Sequence, residues 1–250
     1  MSAQSANRMI AKNIGVLGAG QLGRMLALAG YPLGNTFTFL DTTGNPSAGI
    51  GEVIVDPDNQ HLAAFLEKVD VVTYEFENID LEAARWLEDK VLLRPSAKAL
   101  EIAQDRLTEK TFLNDHGIPT VAFRDIADAE SLATALAEFG GRGILKTRRF
   151  GYDGKGQVRI DASNQFRDAL EEIANAPAIL EGFVTFEKEI SVIVARALDG
   201  TSQAFPVAEN HHVDHILSTS TVPAAIAPET EADARAVSEA LAERLDLVGL

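Results

Sequence analysis

The chain has 250 residues, of which 46% are hydrophobic and 24% charged, and its formal net charge is −15. This composition is typical of a globular protein with room for one large or two ordinary domains. The absence of cysteine excludes disulfides, thiolate metal sites and cysteine nucleophiles, and agrees with a cytoplasmic location. The chain shows no signal-peptide core and no apolar run near the roughly 18 residues that span a membrane. Its acidity argues against nucleic-acid or membrane partners.

The first hundred residues alternate between strand and helix patterns. Strand patterns cover residues 13–20, 35–43, 52–56, 70–79 and 91–95, and helical patterns cover residues 21–34, 61–69 and 81–90. Strands alternating with helices predict an α/β domain with a doubly wound parallel sheet. We expect the sheet to end near Pro95 and place the domain boundary at residue 105.

From Ser96 the pattern changes to α+β. A long amphipathic helix is predicted over residues 96–117, and further helices over residues 129–140, 164–174 and 229–246. Strand patterns cover residues 120–126, 143–147, 157–160, 178–184 and 188–198. The last four residues, LVGL, have the pattern of a strand that begins there. We expect two units in this part, residues 106–190 and residues 191–250.

Residues 141–160 form a basic, glycine-rich segment within an acidic chain. They contain six basic residues and one acid, Asp153. Glycines let the backbone approach a ligand closely, and exposed N–H groups together with positive charge are what a polyphosphate requires. The alternative is a solvated hairpin with a basic face. The segment therefore indicates a site for an anionic ligand.

A second glycine motif, GAGQLG at residues 18–23, lies between a predicted strand and a predicted helix. Its glycines, Gly18, Gly20 and Gly23, match the pattern that brings backbone to a dinucleotide pyrophosphate, and Asp41 ends the next strand, where a ribose-binding acid would lie. This pattern alone favours an NAD-dependent oxidoreductase. The alternative is a close turn without a nucleotide, because any tight strand–helix turn favours glycines.

Several motifs in collinear order resemble one family. They are GVLGAGQLGRM at residues 15–25, TYEFENI at 73–79, DRLTEKTFLNDHGIPT at 105–120, FGYDGKGQ at 150–157, ILEGFV at 179–184 and FPVAENHH at 205–212. Together they are similar to the 5-(carboxyamino)imidazole ribonucleotide synthases of purine biosynthesis, in the ATP-grasp superfamily. The resemblance covers the chain from about Asn13 and implies a pre-ATP-grasp domain, a small α+β lid over residues 106–190 and the start of a C-terminal lobe over residues 191–250.

The resemblance implies a ligase that carboxylates 5-aminoimidazole ribonucleotide with bicarbonate at the expense of ATP, through carboxyphosphate. It also implies Mg²⁺, or Mn²⁺ in its place, and a homodimer in the cytoplasm, without nucleic-acid or membrane partners. Family members continue for roughly a hundred residues beyond the position of Leu250, and the resemblance places the metal ligands there. We accordingly expect residues 1–250 alone to be inactive.

For the nucleotide, the resemblance implies a site built along the second half of the chain. Lys146 would reach the α- and β-phosphates, and Arg106 would contact phosphates. Glu181 would bind the adenine edge, Glu189 the ribose hydroxyls, and His212 would lie at the ATP site. The remaining members are the loop residues Gly151, Tyr152, Asp153, Gly154, Lys155, Gly156 and Gln157 and the hinge residues Gly182, Phe183 and Val184. Lys146, Tyr152 and Asp153 are the predicted catalytic residues.

Some predictions from the resemblance concern the ribonucleotide. Gln21 and Glu75 are the candidates, because ligands of open α/β sheets bind at the carboxyl ends of strands; Glu77 and Asp41 are weaker ones. The resemblance also implies that Tyr152 and Asp153, at the tip of the loop, lie near the ribonucleotide, and turn chemistry at Asp153–Gly154 is the alternative. His211, Asp214 and His215 near His212 do not suggest a metal site, because no carboxylate cage accompanies them.

Three other functions stay open on the residues. The first is another ATP-grasp ribonucleotide ligase or a formate-dependent transformylase, which differs in its second substrate. The second is the NAD-dependent oxidoreductase. The third is a non-catalytic nucleotide-binding module.

Overall fold

The computed structural model describes residues 11–151, 155–161, 166–213 and 216–250. The chain divides into two compact units, Met1–Leu100 and Glu101–Leu250. Within the described residues, no helix has both the length and the hydropathy needed to cross a membrane.

The first unit is a parallel sheet with helices on both faces. Its strands are β1 (Asn13–Leu17), β2 (Thr36–Asp41), β3 (Glu52–Val55) and β4 (Val71–Tyr74), and its helices are α1 (Gln21–Gly30), α2 (Leu62–Leu66), α3 (Leu81–Glu88) and α4 (Ala97–Ala103), the last continuing past Leu100. The strand order is β3-β2-β1-β4. Val16 packs with α1 residue Ala27, whereas Leu17 packs with residues of α2 to α4. The predicted doubly wound α/β sheet is confirmed.

The predicted strand over residues 91–95 is wrong in extent, since only an isolated bridge joins Leu93 to Val72. Val72 donates its N–H to Leu92 O at 2.8 Å, and Arg94 donates to Val72 O at 2.9 Å. The next residue is Pro95, which has no N–H to extend the pairing.

The second unit contains an antiparallel sheet covered by two helices. This sheet has the order β5-β8-β6-β7, with β5 (Phe123–Ile126), β6 (Gly143–Thr147), β7 (Gln157–Ile160) and β8 (Ala178–Gly182). The helices are α6 (Ala129–Glu138) and α7 (Phe166–Glu172). Leu132 and Leu136 of α6 pack with Leu145 and Leu180 of the sheet in one buried cluster. The predicted α+β arrangement is confirmed here.

Two smaller sheets follow along the chain. β9 (Glu189–Ser191), β12 (Ala208–Val213) and β13 (Ile216–Thr221) form one in the order β13-β12-β9, and β10 (Val194–Arg196) and β11 (Ser202–Ala204) form the other. The sequence patterns did not predict β11, β12 or β13 as strands. The last helix is α8 (Pro228–Arg244), and an isolated bridge from Gly249 to Arg196 lies within the predicted strand start over residues 247–250.

Two elements that the sequence predicts as continuous are each divided into two in the structure. The helix over residues 96–117 divides into α4 and α5 (Arg106–Asp115), because Asp105 adopts an extended backbone and its carboxylate accepts from Leu107 N and Thr108 N. The strand over residues 188–198 divides into β9 and β10, because β9 pairs with β12 whereas β10 pairs with β11. The domain boundaries at residues 105 and 190 stay predictions.

Candidate nucleotide-binding site

The most buried charged cluster of the second unit joins two lysines to one carboxylate. Glu181 is only 7% exposed, and its Oε2 accepts from Lys146 Nζ at 2.7 Å while its Oε1 lies 2.9 Å from Lys110 Nζ. In the antiparallel register of β6 and β8, Glu181 lies opposite Ile144, two residues from Lys146. Residues two apart on a strand share a face, so Lys146 and Glu181 are diagonal neighbours. Lys110 reaches the carboxylate from α5.

The two ammonium groups keep Glu181 ionised. Burial alone raises the pKa of a carboxyl group, but the hydrogen bonds and charges of Lys146 and Lys110 outweigh burial, so that the pKa of Glu181 lies below its ordinary value. The cluster therefore holds two positive charges and one negative charge. Sequence reasoning missed Lys110, although its four-residue spacing from Arg106 in DRLTEK predicts one helix face for both cations.

Lys146 opens onto a cleft of about 780 Å³ inside the second unit. The cleft brings together predicted site residues from four separate segments of the chain, namely Lys146, Gln157, Phe183, Glu189 and His212. Its other lining residues are Ile144, Arg159, Phe186, Glu187, Lys188, Glu209, Asn210 and His211. A concave site of this size with aromatic, cationic and carboxylate groups suits a nucleotide-sized ligand.

One wall of the cleft carries an aromatic ring held by two guanidinium groups. Phe183 directly follows β8, and the Arg142 and Arg159 guanidinium carbons lie 4.8 Å and 4.6 Å from its ring centroid. Asp161 accepts from Arg142 Nε at 3.3 Å and pairs with Arg159 Nε at 2.9 Å. The hydrogen bond from Arg159, reinforced by Arg142, lowers the pKa of Asp161. This arrangement fixes a half-exposed ring that a planar base can stack on.

The lining residues Glu189, Asn210 and His212 belong to a polar network across β9, β12 and β13. Asn210 donates through Nδ2 to Ser191 Oγ at 3.1 Å and to Glu189 Oε1 at 3.4 Å, and Ser220 Oγ donates to Asn210 Oδ1 at 2.9 Å. His212 Nδ1 lies 3.6 Å from Glu189 Oε1. A β-bulge interrupts the β12–β13 register between His211 and His212. The network orients the Glu189 carboxylate, whose side chain stays 45% exposed.

Arg106 lies at the base of the glycine-rich loop. It donates through Nη1 to Thr147 O at 2.8 Å and through Nη2 to Gly151 O at 3.1 Å. A Cβ added to Gly151 would come within 2.9 Å of Arg106 Nη1, and one added to Gly156 within 2.6 Å of Thr147 Oγ1. Gly156, which also has a φ of +68°, is therefore needed where the chain enters β7, whereas the close atom at Gly151 is the end of the flexible Arg106 side chain. The predicted phosphate contact of Arg106 stays a prediction.

The other predicted loop and hinge residues either lie outside the described residues or are not among the residues that line the cleft. Tyr152, Asp153 and Gly154 lie outside the described residues, as do Asp214 and His215. Lys155 is exposed, Gly182 donates its N–H to Ala122 O at 2.8 Å, and Val184 is 53% exposed. The roles predicted for these residues stay predictions.

In the first unit, Glu75 fills the turn of the GAGQLG motif. Its Oε1 accepts from Gly20 N at 2.7 Å and its Oε2 from Gly23 N at 2.6 Å, at the start of α1. A Cβ on Gly18, Gly20 or Gly23 would come within 2.5 Å, 2.8 Å or 3.0 Å of a Glu75 carboxylate oxygen. The approach of a carboxylate from this chain thus accounts for Gly18 and Gly20, and at Gly23 the Phe39 ring comes equally close, at 2.9 Å.

The same contacts disfavour the NAD interpretation. A helix N-terminus attracts anions, and here the Glu75 carboxylate takes the N–H groups that a pyrophosphate would use. Asp41 is 2% exposed and accepts from Thr43 Oγ1 and Gly44 N, so it closes its own turn. Gln21 is exposed at the start of α1, which follows β1, and its predicted contact with the ribonucleotide stays a prediction.

The described residues contain no group of three or more histidines, cysteines, aspartates or glutamates suited to hold a metal ion. Mg²⁺ is commonly held by one or two carboxylates together with substrate phosphates, and the position of its ligands stays a prediction.

Two domain families match the chain along almost its whole length. Residues 11–104 match the ribonucleotide synthetase preATP-grasp domain, and residues 111–250 match the ATP-grasp domain.

Two similar proteins carry the same name. An N5-carboxyaminoimidazole ribonucleotide synthase from Brucella melitensis is 49% identical over 243 residues, which cover 95% of this chain and 67% of that protein. Another from Pseudomonas aeruginosa is 44% identical over 210 residues, which cover 83% of this chain and 58% of that protein. The chain thus spans about three fifths to two thirds of these relatives.

Solved structures agree in fold. A crystal structure of an N5-carboxyaminoimidazole ribonucleotide synthetase in complex with ADP has a TM-score of 0.89 and 41% identity, over 97% of this chain and 66% of that one. The Aspergillus clavatus enzyme in complex with ADP and 5-aminoimidazole ribonucleotide has a TM-score of 0.84 and 26% identity, over 96% of this chain and 64% of that one. This chain belongs to the ATP-grasp family, among the N5-carboxyaminoimidazole ribonucleotide synthases.

Proposed function

We propose that the protein is an ATP-dependent ligase that carboxylates 5-aminoimidazole ribonucleotide with bicarbonate, through carboxyphosphate, to 5-(carboxyamino)imidazole ribonucleotide in purine biosynthesis. The observation that carries the proposal is the cleft in which Lys146, Phe183, Glu189 and His212 meet. Family membership supplies the reaction, and ADP and 5-aminoimidazole ribonucleotide occur together in the Aspergillus clavatus relative.

The cleft residues can hold each part of ATP. Lys146 presents an ammonium group to the phosphates, and a lysine acts there as a point charge. Phe183 offers a ring for the adenine, and Glu189 a carboxylate for ribose hydroxyls. ATP supplies the phosphoryl group whose transfer activates bicarbonate. The protein's contribution to such a transfer is mostly positioning and charge stabilisation.

We further propose Mg²⁺ as the ion that accompanies ATP, a homodimeric assembly and a cytoplasmic location. Family resemblance supports the ion, although the described residues hold no donor set for it. The cysteine-free composition supports the cytoplasm, and homodimers are the commonest closed assembly. In the first unit, the proposed ribonucleotide contacts are Gln21 and Glu75.

The test is substrate-dependent ADP formation by the full-length protein. We expect ADP release with Mg²⁺ and ATP to require both 5-aminoimidazole ribonucleotide and bicarbonate. Stimulation by glycinamide ribonucleotide with formate instead would identify another ATP-grasp enzyme. ATP binding without turnover under any pair of substrates would favour a non-catalytic nucleotide-binding module.

A further inference from the structure

We propose that Lys110 is a positioning residue of the nucleotide site: it neutralises Glu181, and the ammonium charge of Lys146 is thereby left available to phosphates. This inference rests on the proposed ATP site and adds a residue that the family motifs did not assign. It is drawn from the ion-pair geometry of three side chains on α5, β6 and β8.

The geometry gives each lysine its own carboxylate oxygen. Glu181 Oε2 lies 2.7 Å from Lys146 Nζ, and Oε1 lies 2.9 Å from Lys110 Nζ. The side chains of Lys110, Lys146 and Glu181 are 15%, 23% and 9% exposed, so that solvent screens these charges less than at the surface. Lys146 lines the cleft, whereas Lys110 and Glu181 are not among its lining residues. Lys110 therefore acts through Glu181.

Charge counting explains why a second lysine matters. A pair of Lys146 and Glu181 would be neutral and would attract a polyphosphate weakly, because the carboxylate lies 2.7 Å from the ammonium group. Lys110 restores a net charge of +1 to the cluster. The carboxylate in turn lets two ammonium groups share one partly buried site, which their mutual repulsion would otherwise oppose.

The experiment compares affinities for ATP, ADP and adenosine by calorimetry in wild type, K110M and K110M/E181Q. Adenosine has no phosphates, so its affinity corrects for damage to the base and ribose contacts. We expect K110M to weaken ATP binding by about tenfold, ADP binding less, and adenosine binding hardly at all, as for the loss of one charge near the phosphates. In K110M/E181Q the net charge returns to +1, and we expect most of the ATP affinity to return.

K110R keeps the charge and should retain most of the ATP affinity. R124M is the matched control, because Arg124 forms an exposed ion pair with Glu138 at 2.8 Å in the same unit. We expect R124M to bind all three ligands like the wild type. Thermal unfolding of each variant shows whether it is folded, and Glu181 keeps Lys146 as its partner in K110M. If K110M nevertheless fails to fold, K110M/E181Q carries the test, because its cluster keeps the net charge of +1 and should bind ATP almost like the wild type.

Three results would overturn the proposal. One is equal ATP affinity in K110M and wild type. Another is a loss that is the same for ATP and adenosine, and the third is a loss that K110M/E181Q does not recover. If the wild type binds ATP in these cases, only the role of Lys110 fails. If the wild type binds no ATP, the proposed function fails together with it.

Discussion

Glu75 is a partly buried carboxylate that binds backbone groups, whereas Glu181 is a buried carboxylate that binds side chains. Glu75 accepts from two backbone N–H groups at the start of α1, and Glu181 accepts from the side chains of Lys110 and Lys146. In each case the acceptor satisfies groups whose desolvation would otherwise be costly. Removal of Glu75 would leave two backbone N–H groups of a turn without their acceptor, whereas removal of Glu181 would leave two lysine side chains without theirs.

At the residue scale, we predict that Glu75→Ala destabilises the first unit. Gly20 N and Gly23 N would lose their acceptor at the start of α1, at a cost of about 1–3 kcal/mol in the free energy of unfolding. Hydrogen exchange should accelerate at these two amides. Glu77→Ala is the control, because Glu77 is exposed and its carboxylate accepts only from the neighbouring Asn78 among the hydrogen bonds of the described residues. Equal unfolding and exchange in both variants would contradict this role of Glu75.

Single residues were predictable from sequence where a motif named them. The motifs named Lys146, Gln157, Phe183, Glu189 and His212, and the structure places these five in the lining of one cleft, while their roles stay predictions. Lys110 was missed because its partner Glu181 lies 71 positions away in the chain, and only the fold brings the two together. The GAGQLG motif was compatible with a nucleotide turn and with a close turn without a nucleotide, because the motif alone cannot show that the Glu75 side chain fills the turn.

At the element scale, the junction of α4 and α5 is fixed by one aspartate. Asp105 accepts from Leu107 N at 2.9 Å and Thr108 N at 3.2 Å, and its carboxylate also accepts from Arg148 Nε at 2.9 Å. Burial raises the pKa of Asp105, but these bonds outweigh it and leave the pKa below 3.8, the ordinary value. The aspartate thus joins a helix N-terminus to the residue that follows β6.

We predict that Asp105→Ala costs about 1–2 kcal/mol of unfolding free energy, because the cap and the ion pair are both lost. Asp105→Asn should cost less, since asparagine still caps a helix but carries no charge for Arg148. The advantage of wild type over Asp105→Asn should be complete above pH 3.8 and disappear as the pH falls through the lowered pKa. Urea unfolding at several pH values measures this difference in the free energy of unfolding. Equal stability of the wild type and Asp105→Asn at neutral pH would contradict the ion-pair role of Asp105.

The type of most elements could be predicted, whereas their interruptions could not. Helical periodicity continues through Gln104 and Asp105 and hides the break, although an aspartate is a common helix N-cap. The further contact of Asp105 with Arg148, some forty residues later, is set only by the fold. The apolar run over residues 188–198 likewise gives no sign of the change of sheet between β9 and β10. Short, exposed strands such as β13 lack the alternation that a buried face imposes on a sequence.

At the scale of the whole molecule, an acidic chain presents one local basic region to an anionic ligand. The net charge of −15 opposes general attraction of phosphates, so affinity has to come from the cluster of Lys146, Lys110 and Glu181 and from the cleft beside it. Composition predicted this requirement, and the collinear motifs predicted the family. Sequence reasoning did not predict how the lysine charge is kept available.

The most direct test of this account is ATP binding by the protein and by its Lys146→Met variant, measured by calorimetry with Mg²⁺ present. Glu181 keeps Lys110 as a partner in the variant, so the fold should persist. We predict that the wild type binds ATP and that Lys146→Met binds it at least about tenfold more weakly, as expected for the loss of a charged hydrogen-bond donor to phosphate. Equal affinity of the two proteins for ATP, or binding of NAD without ATP, would contradict the account.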